Sequence, residues 1–135
     1  MALEWMARDI AANYADELVT TLDAQQAGAL TWYLRDLEMV GNGLRGMSVL
    51  DLEDEVSDAR YGLQVSWDEL IEMLAAAQDV HDLVVTGHRE PTEVSIDLDD
   101  ATYPGCAAVV EIFDSTSYRV GREPELAATD EEYQG

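Results

Sequence analysis

Asp51, Asp54, Glu55 and Asp58 stand at i, i+3, i+4 and i+7. On a helix, that spacing places four carboxylates on one face. Neighbours there have Cβ atoms about 5–6 Å apart, and like charges oppose the helix that carries them. Glu93, Asp97 and Asp99 share one face of a strand, with Asp100 beside them. Positions i and i+2 lie about 6.6 Å apart on such a face. These distances are comparable with the charge spacing of a nucleic-acid strand, about 3.4 Å of rise per phosphate. A rigid carboxylate array of that pitch is a surface that a groove lined with Lys and Arg can read as phosphate. Opposite charge speeds encounter and raises affinity, and salt weakens both. These eight residues are the candidate partner-binding set, and their chemistry is ion pairing.

Other motifs lack the context their chemistry needs. Gly41–Asn42–Gly43–Leu44–Arg45–Gly46 fits G-x-G-x-x-G. A dinucleotide site requires a strand before the motif, a helix after it and a parallel sheet around it. Leu30–Val40, just before it, reads as helix-periodic, so the glycines are taken as an interhelical turn. Asp51, Glu53 and Glu55 alternate like the start of a calcium loop. From Asp51, however, Val56 holds the position that needs Gly, and Gly62 the position that needs a bidentate carboxylate. Asp97, Asp99 and Asp100 read as a solvated strand edge. His81, His88 and Cys106 show no paired spacing of the zinc type. No nucleophile elbow, zincin helix, phosphate loop or Cys-x-x-Cys occurs. The expectation is no catalytic residue, no cofactor and no metal. Trp32 and Tyr33 are read as core and rim residues, with a partner or dimer anchor as the sharper alternative.

The carboxylates belong to an extreme composition. The chain has 135 residues, 29 acids and seven Arg, with no Lys, for a net charge of −22 and a pI near 4.1. Acids occur in both halves, so a tail alone does not explain them. Such a surface repels nucleic acid and anionic membranes, whose proteins bring Lys and Arg to phosphates. Hydrophobic residues make up 47% of the chain, which separates it from acidic disordered sequences. The single Cys106 cannot close an internal disulfide, which points to a reducing compartment. Neither a signal-peptide core nor an apolar run of membrane length is present. The expected location is cytoplasmic.

The elements that must position these residues read as α+β: about four N-terminal helices followed by a small antiparallel sheet of three to four strands. Leu3, Met6, Ile10, Tyr14, Leu18 and Leu22 recur at helical spacing. Asp23 with Gln26 resembles a capping box, and Ala27, Leu30, Leu34 and Leu37 continue a second helix to about Val40. Ser48 caps a third helix to about Tyr61, on Leu52, Val56 and Ala59. Ser66 with Glu69 is another capping box, opening a fourth helix to about Asp79. Strands follow at Leu83–Thr86, Val94–Leu98, Cys106–Phe113 and Tyr118–Val120. Gly87–His88–Arg89–Glu90–Pro91 is echoed by Gly121–Arg122–Glu123–Pro124, and both read as strand exits. Residues 1–124 are taken as one acidic domain and 125–135 as an acidic, disordered tail.

Together these features describe a non-catalytic inhibitor that imitates nucleic acid and occludes the basic channel of its target. That target is a nuclease, a restriction enzyme or a CRISPR effector. The chain is similar in size and charge to small acidic phage and plasmid proteins that block such enzymes, and it matches none of them motif by motif. Halophilic adaptation of an unrelated cytosolic domain is one alternative. An immunity or antitoxin protein against a basic nuclease toxin is another. Oligomeric state is left open, a homodimer included.

Overall fold

A computed structural model describes residues 3–9, 22, 24–41, 46–59, 61–91, 103, 105–114 and 117–123. Among the described residues, six strands form one antiparallel sheet: β1 (Glu4–Asp9), β2 (Thr31–Gly41), β3 (Leu63–Val65), β4 (Ala77–His88), β5 (Ala108–Phe113) and β6 (Ser117–Arg122). Their spatial order is β1-β6-β5-β4-β2-β3. The described residues also include three short helices: α1 (Ala24–Ala29), α2 (Val49–Asp58) and α3 (Trp67–Ala76). None is long and apolar enough to cross a membrane.

The expected layout of four leading helices and a small sheet is therefore corrected. The sheet begins at residue 4 and carries the fold throughout. The physical reason is clearest in β2. Trp32, Leu34, Leu37 and Met39 are buried in one apolar cluster. Their spacing is two, three, two. The register against β4 shifts between Leu34 and Asp36, a bulge that adds one residue to the strand. That extra residue makes a period-two strand imitate helical spacing, and Ala27 in α1 with Leu30 just after it extends the pattern. In β1, Glu4–Trp5–Met6–Ala7–Arg8–Asp9 pairs residue by residue with β6. Leu3 and Met6 satisfied a helical pattern over a segment too short to distinguish the two periods. Residues 10–21, Asp23 and 124–135 lie outside the described residues.

Local capping chemistry reads correctly. Ser48 Oγ accepts from Asp51 N at 3.2 Å and starts α2. Ser66 and Glu69 exchange backbone and side-chain hydrogen bonds, both 3.0 Å, and start α3. Each satisfies donors that a helix start leaves orphaned.

One sheet face holds the core. Leu83 and Val85 of β4, Val110 and Ile112 of β5, and Tyr118 and Val120 of β6 join the β2 residues named above. Leu52 and Val56 of α2 and Trp67, Leu70, Met73 and Leu74 of α3 complete it. Trp32 is the keystone, fully buried. Its indole N–H donates to Ala27 O at 2.9 Å, tying the end of α1 to the sheet. Its ring centroid lies 4.9 Å from that of Trp67. Tyr33, on the opposite face, is buried too, so both aromatics are interior residues.

The two echoed segments are strand exits, and each glycine faces a tryptophan. Gly87 lies in register opposite Trp32, and Gly121 opposite Trp5. A Cβ at Gly87 would come within 2.9 Å of the Trp32 ring, and one at Gly121 within 2.8 Å of the Trp5 ring. Arg89 and Glu123, from the two segments, form an ion pair.

Candidate partner-binding surface

Helix α2 buries Leu52 and Val56. The spacing that buries them turns Asp51, Asp54, Glu55 and Asp58 outward, and all four are exposed. A rise of about 1.5 Å per residue spreads these carboxylates over about 10.5 Å. That is about one charge per 3.5 Å along the axis, close to one nucleic-acid strand at about 3.4 Å. The arrangement costs the helix something. Asp51 favours the positive N-terminal end, but the last turn holds no basic residue, and Asp58 stands where the helix dipole prefers a cation.

Glu93, Asp97, Asp99 and Asp100, with the strand Val94–Leu98, lie outside the described residues. Among the described residues, a further acidic region lies on β2 and β4. Glu38 lies directly opposite Asp82 in the ladder, where like charges destabilise a strand pair. Asp36 is raised above the usual carboxylate range, first by burial and then by the Asp82 charge. Asp114 N donates to Asp82 Oδ1 at 3.1 Å, and the Asp114 carboxylate lies 3.4 Å from His81 Nε2. Sequence spacing could not show this cluster, because 44 positions separate its two strands' members and only the β2–β4 pairing joins them.

Residues able to hold a cation follow the same logic. Among the described residues, Glu38, His81 and Asp82 form a set of three whose donor atoms lie within 4.8 Å of one another. Neither carboxylate cluster singled out by spacing supplies it. His88 and Cys106, which spacing left unconnected, do meet.

They meet on the sheet face away from the helices, in a polar interior that the sequence did not reveal. His88 Nδ1 donates to Gly105 O at 3.0 Å, a carbonyl that can only accept, which fixes the proton on Nδ1. Nε2 then accepts from the Thr86 hydroxyl at 2.9 Å and from Arg35 at 3.3 Å. Arg35 Nε also donates to Thr86 Oγ1 at 3.0 Å. Cys106 Sγ lies 3.9 Å from Nε2. Burial holds His88 below the ordinary histidine range; the Gly105 hydrogen bond opposes this and the Arg35 charge adds to it. Burial also pushes the Cys106 thiol up to about 11, against the pull of Arg35. A thiol so protonated at neutral pH is not a nucleophile. The pair is a neutral, hydrogen-bonded wall of a cleft of about 580 Å³, which Arg89, Tyr103 and Glu123 also line.

Glu111 belongs to the same face. It is 2% exposed and accepts from Arg119 Nε at 2.8 Å and from the Tyr103 hydroxyl. Burial, then the Glu111 hydrogen bond, push the Tyr103 hydroxyl up. Arg119 also stacks over Trp5, 4.5 Å from its centroid. An acid inside the apolar run Cys106–Phe113 is the available signal for this pair, since the buried Glu111 carboxylate demands a partner.

Among known proteins, no family, no curated sequence and no solved structure matches the chain.

Proposed function

We propose that this protein is a non-catalytic acidic inhibitor that occupies the basic channel of a nucleic-acid-handling protein. The exposed face of α2 carries the reading. Four carboxylates at nucleic-acid pitch stand on a helix anchored by Leu52 and Val56. Packing explains the buried side of α2 and the helix dipole favours Asp51, but neither explains the outward charges of Asp54, Glu55 and Asp58. A partner lined with Lys and Arg does. Restriction enzymes, CRISPR effectors and nuclease toxins share such channels, and the cytoplasm is where they act. The buried Cys106, the single cysteine of the chain, suits that reducing compartment.

The test is capture from a panel of nucleases, restriction enzymes and CRISPR effectors, competed with duplex DNA. The expected result is a complex that duplex DNA displaces and that charge reversal at Asp54, Glu55 and Asp58 abolishes. Capture indifferent to both would sink the proposal.

A further inference from the structure

A groove of about 340 Å³ opens where the end of β2, the first turn of α2 and the start of β4 meet. Its lining combines two chemistries that rarely share a surface. Val40 is 56% exposed and Leu50 is 73% exposed, both large apolar side chains left in solvent. Glu38, Glu53 and Asp79 line the same groove. Two features fix its shape. Strand β3 pairs only with Trp32–Leu34, so it does not extend along the rest of that edge of β2. Glu53 reaches across to accept Met39 N–H at 3.0 Å, which docks α2 against the strand. Leu50 and Asp54 stand at i and i+4 on α2, both exposed, so the groove borders the acidic face of that helix.

We infer that this groove receives an apolar side chain flanked by Lys or Arg on a partner protein. Isolated exposed apolar residues need no explanation, but two converging on one concavity suggest an anchor point. The surrounding carboxylates decide the occupant. A second copy of the chain docked about a two-fold axis would set Glu38, Glu53 and Asp79 against their own copies. Nucleic acid and anionic lipid meet the same repulsion. A basic segment meets complementary charge, and its central apolar residue finds Val40 and Leu50. This inference rests on the reading of α2 as a surface for a basic protein, and it adds a component of affinity that salt does not screen.

Two peptide probes test it on the full chain: Arg-Arg-Leu-Leu-Arg-Arg and Arg-Arg-Ser-Ser-Arg-Arg. Fluorescence anisotropy gives their affinities, and amide shifts of the ¹⁵N-labelled protein locate them. The leucine peptide is expected to bind about tenfold more tightly, the scale of burying much of one leucine. It should shift the amides of Val40 and Leu50. Leu50→Ser, a change at an exposed position, should erase the difference and leave the serine peptide's affinity unchanged. Val40→Thr should act in the same direction. Equal affinity of the two peptides, or an unaltered difference in Leu50→Ser, would overturn the groove alone. Failure of both peptides to bind at low salt would overturn the groove together with the acidic-face reading.

Discussion

Gly87 and Gly121 offer a matched pair of substitutions whose outcomes should differ. Each glycine lies in register opposite a tryptophan, and each added Cβ would meet an indole ring inside normal contact distance. The difference lies in what that ring can do. Trp32 is fully buried, hydrogen-bonded to Ala27 O and stacked on Trp67, so it cannot yield. Gly87→Ala is an overpacking change, expected to cost about 1–3 kcal/mol. Trp5 is 41% exposed and can swing toward solvent. Gly121→Ala then loses the Arg119 contact, about 0.5–1 kcal/mol at an exposed site. The reduced freedom of the unfolded chain returns about 0.4–1 kcal/mol. Its net effect should be close to zero. For a domain of this size, each kcal/mol moves Tm by about 3–5 °C. Gly87→Ala should therefore melt about 3–15 °C below wild type, and Gly121→Ala within about 3 °C of it. Thermal and urea unfolding followed by tryptophan fluorescence measure both. Equal losses, or a larger loss at Gly121, would refute the assignment of Trp32 as keystone and Trp5 as rim.

Other expectations follow from the polar interior and from α2. His88 is held neutral below its ordinary range. The unfolded state therefore binds the extra proton first, and the contribution of His88 to stability fades as pH falls below about 6.5. His88→Gln should flatten the stability profile between about pH 5 and 7, and an unchanged slope would count against the neutral imidazole. Cys106, raised to about 11, should resist alkylation in the folded protein at neutral pH and react freely once urea unfolds it. Its share of stability should be lost as pH rises from the ordinary thiol range toward about 11; rapid labelling of native protein at neutral pH would contradict the burial. Neutralising Asp54, Glu55 and Asp58 to their amides should stabilise the domain at low salt. The gain should be about 0.5–1 kcal/mol, from relief of like-charge neighbours on α2. Urea midpoints at low and high salt would show it, and a loss of stability would mean those carboxylates have structural partners.

The sequence disclosed this molecule unevenly, and the pattern has physical causes. Short-range chemistry was legible. Ser48, Ser66 and Glu69 cap their helices as expected, because a cap depends on residues three apart. The outward face of α2 was legible for the same reason. Strands β4 and β6 are longer than their patterns predict, and β5 starts two residues later than its apolar run does. The leading strands were hidden by a bulge in β2 and by the brevity of β1, both of which mimic helical spacing. The Gly41–Gly46 motif shows how such an error propagates. It was set aside for lack of a preceding strand, yet β2 does precede it and α2 follows. What still excludes the dinucleotide arrangement is the sheet itself, whose pairings around β2 are antiparallel. The Glu38–Asp82 opposition and the His88–Cys106 contact depend on strand pairing across long separations. No local periodicity encodes them.

The account stands most directly on the salt dependence of partner binding. The measurement is the affinity of the captured partner for wild type and for a variant reversed at Asp54, Glu55 and Asp58, across about 50 to 200 mM salt. Wild-type affinity should fall tenfold or more over that range while the domain stays folded at the low end. The reversed variant should bind weakly and with little salt dependence. A domain that unfolds at low salt and needs molar salt to fold, or a partner affinity insensitive to both salt and reversal, would contradict it.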